Sequence, residues 1–112
     1  MPDTDVIQGT LDMLILKSLS LVPMHGFGIT KRIEQLSKGV FKVNPGSLLL
    51  AFQRMEREGL IESEWRPTEN NRRAKFYTLT PEGRKQLRDE RSSWDHMVAA
   101  MTAALRATAE SL

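Results

Sequence analysis

Two short runs rich in aromatic and β-branched residues, "LIESEW" and "AKFYTL", flank a polar stretch from Pro67 to Arg73. This pairing constrains the fold most. Runs of this length and composition read as strands, and a polar loop between them makes a β-hairpin. Everything before the hairpin has helical periodicity, so the hairpin must dock onto a helical layer.

The first helical segment is Thr10 to Leu21, with Leu11, Leu14, Ile15 and Leu19 at helical spacing. Met13, Leu16 and Leu21 widen its apolar face, which predicts a central helix. Thr10 is positioned to cap it, and Val22-Pro23 to end it. The second lies in "GFGITKRIEQLSKG", where Ile29, Ile33 and Leu36 form one stripe and Gly39 offers a stop. His25, just before it, reads as a capping or packing residue more readily than as a phosphate contact or pH-sensitive group.

The third helix starts at Asn44-Pro45-Gly46 and closes at Gly59. Leu48, Ala51, Phe52 and Met55 mark its buried face. Leu50, Gln53, Arg54 and Arg57 fall on the opposite side. After the hairpin, Thr80-Pro81 gives an N-cap with proline at the first helical position. The last helix is expected from Pro81 to about Thr108. Its seam of Leu87, Trp94, Val98, Met101, Leu105 and Leu112 follows a heptad pattern from Trp94 onward, interrupted by Arg91 and Thr108.

The order helix, helix, helix, strand, strand, helix predicts a mainly α fold with a small β-hairpin, a winged helix-turn-helix. Residues 1–80 would form the DNA-binding domain and 81–112 a dimerisation helix. The third helix would enter a major groove. Asn71 sits at the hairpin tip, with Arg72, Arg73 and Lys75 beside it as candidate phosphate or minor-groove contacts. The alternative is a solvated polar loop.

Composition narrows the classes. Hydrophobic residues are 40% of the chain, the formal charge is only +2, and there is no cysteine. Disulfides and thiolate metal sites are therefore excluded, and the two histidines lie far apart in sequence. No apolar run approaches a membrane span, so a soluble cytoplasmic protein is expected. No phosphate loop, nucleophile elbow, zinc-binding helix motif or isolated carboxylate pair is visible. An enzyme, a metal and a cofactor are not expected.

The segments "QGTLDMLILKSL", "MHGFGITKRIEQLS", "PGSLLLAFQRMEREGLIESEW" and "ENNRRAKFYTLTPEGRKQL" resemble the PadR family of bacterial transcriptional regulators, from about Val6 to Trp94. The resemblance implies a winged-helix domain with a C-terminal helix that forms a homodimer. It also implies repression at palindromic operators, with release by a small, often aromatic, molecule. Ser47, Gln53, Arg72, Arg73 and Lys75 match family positions implied to contact DNA; Arg54 and Arg57 join them from their helical face, unless either pairs with a neighbouring glutamate. The chain has Leu49-Leu50 where the family usually has Tyr-Pro, and Phe27 where it often has tyrosine. Leucine cannot donate a hydrogen bond, but Leu50 can meet a thymine methyl.

Trp94, Met97 and Val98 are the candidate effector pocket, since indoles near a dimer seam suit a flat aromatic ligand. Simple packing of Trp94 in the core is the competing reading. Leu87, Trp94, Val98, Met101 and Leu105 are the candidate dimer interface. The Leu49-Leu50 pair also leaves open a protein-interaction module on a winged-helix scaffold, with weakened DNA recognition. A third class is a small-molecule binder with vestigial DNA contact.

Overall fold

The computed structural model describes residues 4–5, 8–70 and 72–112. In chain order these form β1 (Thr4–Asp5), α1 (Gln8–Leu21), β2 (Met24–His25), α2 (Gly26–Leu36), β3 (Phe41–Lys42), α3 (Pro45–Arg57), β4 (Ile61–Pro67), β5 (Arg73–Leu79) and α4 (Pro81–Arg106). A single 3-10 turn, Ala109–Ser111, follows. The expected order of helices and hairpin holds. Three two-residue strands are additional. β1 pairs in parallel with β3, and β2 joins the hairpin to give the order β2-β5-β4.

The helices bury the faces that their periodicity indicates. Leu11, Ile15, Leu16 and Leu19 of α1 meet Ile29 and Ile33 of α2 and Leu48, Ala51, Phe52 and Met55 of α3. Ile61, Tyr77 and Leu79 close this core from the hairpin. Ser18 of α1 is fully buried, and its hydroxyl is satisfied by donating to the Leu14 carbonyl at 2.8 Å.

Some expected details differ. α1 begins at Gln8, so Thr10 sits in its first turn and does not cap it. A suitable cap residue does not compel a boundary where the preceding backbone can continue the helix. Leu21 and Leu36 are exposed because each is the last residue of its helix, past the end of the core. After α2 the chain turns through Gly39 (φ 80°), whose amide donates to the Glu34 carbonyl at 2.7 Å.

α4 stops at Arg106, short of the expected Thr108. The Thr108 amide instead donates to the Ser111 hydroxyl at 3.1 Å, which gives the backbone an alternative to the helix. Thr108 and Leu112 therefore drop out of the helical seam. The seam's first residue also changes role. Leu87 packs against the core of its own chain, and Arg91 points outward to pair with Asp95 at 3.9 Å.

Candidate nucleic-acid interface

The start of α3 is built by Asn44. Its side-chain oxygen accepts from the amides of Gly46 at 2.7 Å and Ser47 at 3.3 Å, and Pro45 occupies the first turn, where no amide is needed. With Leu48, Ala51, Phe52 and Met55 anchored inside, Ser47, Leu49, Leu50, Gln53 and Arg57 are turned outward. The start of α2 is tied to the hairpin by His25. The His25 Nδ1 accepts from the Gly28 amide at 3.1 Å, and the ring meets Phe76 edge-on at 5.6 Å. The capping reading of His25 is the one realised.

The wing is held to α3 by a ring stack and a carboxylate. Phe52 of α3 stacks on Tyr77 of β5 with centroids 4.2 Å apart. Burial pushes the Tyr77 phenol up in pKa; nearby Lys75 opposes this and Glu56 adds to it. Glu56 bridges to both strands, accepting from the Ser63 hydroxyl at 2.9 Å and pairing with Lys75 Nζ at 3.2 Å. The hairpin register runs unbroken from Ile61↔Leu79 to Pro67↔Arg73. Pro67 is tolerated because β4 is the edge strand. At the tip, the Thr68 amide and hydroxyl both donate to the Arg72 carbonyl, at 2.6 and 2.8 Å.

The candidate residues fall into three groups. Ser47, Leu50, Gln53, Arg54 and Arg57 line one cleft of about 410 Å³, floored by Leu11 and Ala51. Leu49 turns to the other flank of α3, into a second cleft of about 410 Å³ with Phe27, Trp65 and Lys75. Arg72 and Arg73 stand exposed near the hairpin tip. Asn71 lies outside the described residues.

Two candidates carry protein partners. Arg54 donates to Asp12 of α1 at 2.5 Å and approaches Glu58 at 3.6 Å. The Asp12 hydrogen bond is the main reason that its pKa is raised. Lys75 is occupied by Glu56. Asp12 and Glu56 are thus structural members of the face that sequence reasoning missed. Glutamates near arginines were visible, but Asp12 lies 42 positions from Arg54 and nothing local marks it.

Replacing Asp12 with asparagine is expected to lower the unfolding free energy by about 1–2 kcal/mol, because it weakens a charge-assisted, half-buried hydrogen bond. Urea melts of D12N against the parent check this. A difference under roughly 0.5 kcal/mol would mean that Glu58 alone holds Arg54.

A third cleft, of about 540 Å³, lies between α1 and α4 and is lined by Met13, Glu90, Trp94 and Met97 among others. Trp94 and Met97 are therefore brought to one cavity. Val98 is not among its lining residues, although it is about as exposed as Trp94. Glu90 accepts from Gln86 at 2.8 Å. Among the described residues, no cluster of three or more His, Asp or Glu side chains could hold a metal, and no helix is long and apolar enough to cross a membrane.

Three packed helices, a cap-ordered third helix and a hairpin docked beside it define a winged-helix transcriptional regulator. The family model described as the transcriptional regulator PadR-like family matches residues 15–89. A transcriptional regulator from Clostridium thermocellum superposes with a TM-score of 0.79 at 28% identity, covering 88% of this chain and 92% of that one. A PadR family transcription regulator from Clostridium difficile R20291 gives 0.75 at 29% identity, covering 85% and 97%. The transcriptional regulator Rv3488 of Mycobacterium tuberculosis is 32% identical over 74 residues, which span 66% of this chain and 65% of that relative. The chain belongs to the PadR-like family. It is a DNA-binding transcriptional regulator and not an enzyme.

Proposed function

We propose that the protein is a homodimeric repressor that binds a palindromic operator and is released by a small aromatic effector. The observation that carries this reading is the outer face of α4. Trp94, Val98, Met101 and Leu105 follow one another at steps of four, three and four, and all are exposed, Leu105 by 81%. A stripe of this spacing suits pairing with the same stripe on a second copy. In this reading residues 1–80 are the DNA-binding unit and 81–112 carry dimerisation. Leu87 supports the junction from inside its own chain.

Two-fold symmetry sets the half-sites about one helical turn apart, or a multiple of it. Ser47, Leu50, Gln53 and Arg57 face the major groove, with Arg54 held alongside by Asp12 and Leu49 at the flank of α3 nearer the wing. Arg72 and Arg73 meet the flanking backbone or minor groove, with Lys75 as a weaker, partly neutralised contributor. The Trp94–Met97 cleft supports an effector site, because a ligand wedged between α1 and α4 would change how α4 presents its partner.

A gel-shift titration on the chain's own upstream DNA, at two salt concentrations with scrambled competitor, tests the reading. The expected result is a specific shift that weakens steeply with salt. Planar aromatics that quench Trp94 fluorescence in a Trp65→Phe background should also release the complex. A folded, dimeric protein that selects no sequence from genomic DNA would overturn operator binding. It would favour a protein partner on the exposed Phe27, Leu49 and Trp65 surface.

A further inference from the structure

From the outward stripe of α3 we infer that Leu50 is a specificity-determining residue that reads the 5-methyl group of a thymine. This inference rests on the proposed operator binding. Ser47, Leu50, Gln53 and Arg57 succeed one another along the exposed side of α3, a span of about 15 Å, or roughly four base-pair steps. Leu50 sits in the middle of that stripe and is 67% exposed.

Its neighbours define what it can meet. Leu11 and Ala51 are buried at the floor of the same cleft, so a group entering beside Leu50 finds carbon beneath it. Arg54 is drawn aside by Asp12 and Glu58. Among the described residues, Gln53 and Arg57 make no side-chain hydrogen bond or ion pair, which leaves both to base edges or phosphates. The middle of the stripe is therefore an apolar spot bounded by polar groups.

In the major groove thymine is the base that offers an apolar group, its C5 methyl. Guanine presents N7 and O6, adenine N7 and N6, and cytosine N4. Leucine against any of these removes water from a polar edge and returns no hydrogen bond, which costs binding. Leu50 thus favours thymine twice, by burying its methyl and by penalising the alternatives. Gln53 lies three residues on, a rise of about 4.5 Å, which is close to one base-pair step. Glutamine pairs bidentately with adenine N6 and N7. Each half-site should therefore carry a thymine under Leu50 and an adenine on the neighbouring pair.

Duplexes enriched by the 112-residue chain from a randomised pool supply the probe. Each thymine is then replaced in turn by deoxyuridine, which lacks only the 5-methyl group. One position per half-site should lose about fourfold in affinity, the worth of one buried carbon. L50A should bind the thymine duplex about as weakly as the parent binds the uracil one, and should no longer distinguish the two. L50M should retain the distinction. Leu50 is exposed on a helix, so L50A keeps the fold, which circular dichroism verifies. A uracil scan flat within twofold, or a penalty that persists in L50A, overturns the inference and leaves operator binding intact. A pool with no enrichment overturns both.

Discussion

Gly83→Ala is expected to lower the unfolding free energy by about 3 kcal/mol, near the upper end of what overpacking costs. At roughly 4 °C per kcal/mol for a chain of this length, the melting temperature should fall by about 12 °C. Gly83 lies in the first turn of α4 and is buried. A Cβ there would overlap the Leu60 backbone carbonyl oxygen and the Leu79 side chain. The side chain can move, but the carbonyl cannot do so cheaply. The Thr80 hydroxyl lies 2.7 and 2.9 Å from the Gly59 and Leu60 carbonyls, to which it donates, and it accepts from the Gly83 amide at 3.0 Å. Any shift that relieves the overlap breaks this junction between the hairpin and α4. Gly39→Ala is the comparison. A Cβ there meets nothing within 4 Å, so only its φ of 80° opposes the change. That cost is about 1–2 kcal/mol. Thermal melts of both variants decide the matter. If G83A were no worse than G39A, close seating of α4 against the Leu60 carbonyl and β5 would be wrong.

That junction also shows where sequence reasoning reaches its limit. Thr80-Pro81 announced a helix start by local chemistry, and the start is where it was expected. The four-residue face of α3 and the two hairpin strands were equally legible, because period and turn chemistry are local properties. The pairing of His25 with Phe76, and of Thr4 with Phe41, is made between residues far apart in the chain. Strands of two residues have no period to read, so β1, β2 and β3 leave no local mark in the sequence. The Asp12–Arg54 and Glu56–Lys75 pairs belong to the same class, and they matter more for function. They decide which of the basic residues on the candidate face are free. Heptad spacing has a related blind spot. It places Leu87 and Trp94 in one seam, but it does not say whose surface each residue meets.

The distinction between free and occupied cations leads to the larger expected effect on DNA. Arg72→Ala with Arg73→Ala should reduce the slope of log K against log salt by about 1.8, at 0.9 for each lost phosphate contact. At 0.1 M salt the same term amounts to about sixtyfold in affinity if both arginines reach phosphate, and eightfold if one does. The loss should be nearly uniform across sequences, since phosphate contacts position without specifying. Lys75→Ala should behave differently. Its ammonium already neutralises Glu56 at 3.2 Å, so its removal forfeits the release of less than one counterion on balance and exposes a carboxylate to the approaching duplex. Its slope change should therefore fall below 0.9, while its effect on wing placement shows as lost stability. Titrations of the three proteins at four salt concentrations separate these cases. A double arginine variant with an unchanged slope would remove the hairpin tip from the interface. An equal slope change for K75A would mean that the Glu56 pair opens when DNA arrives.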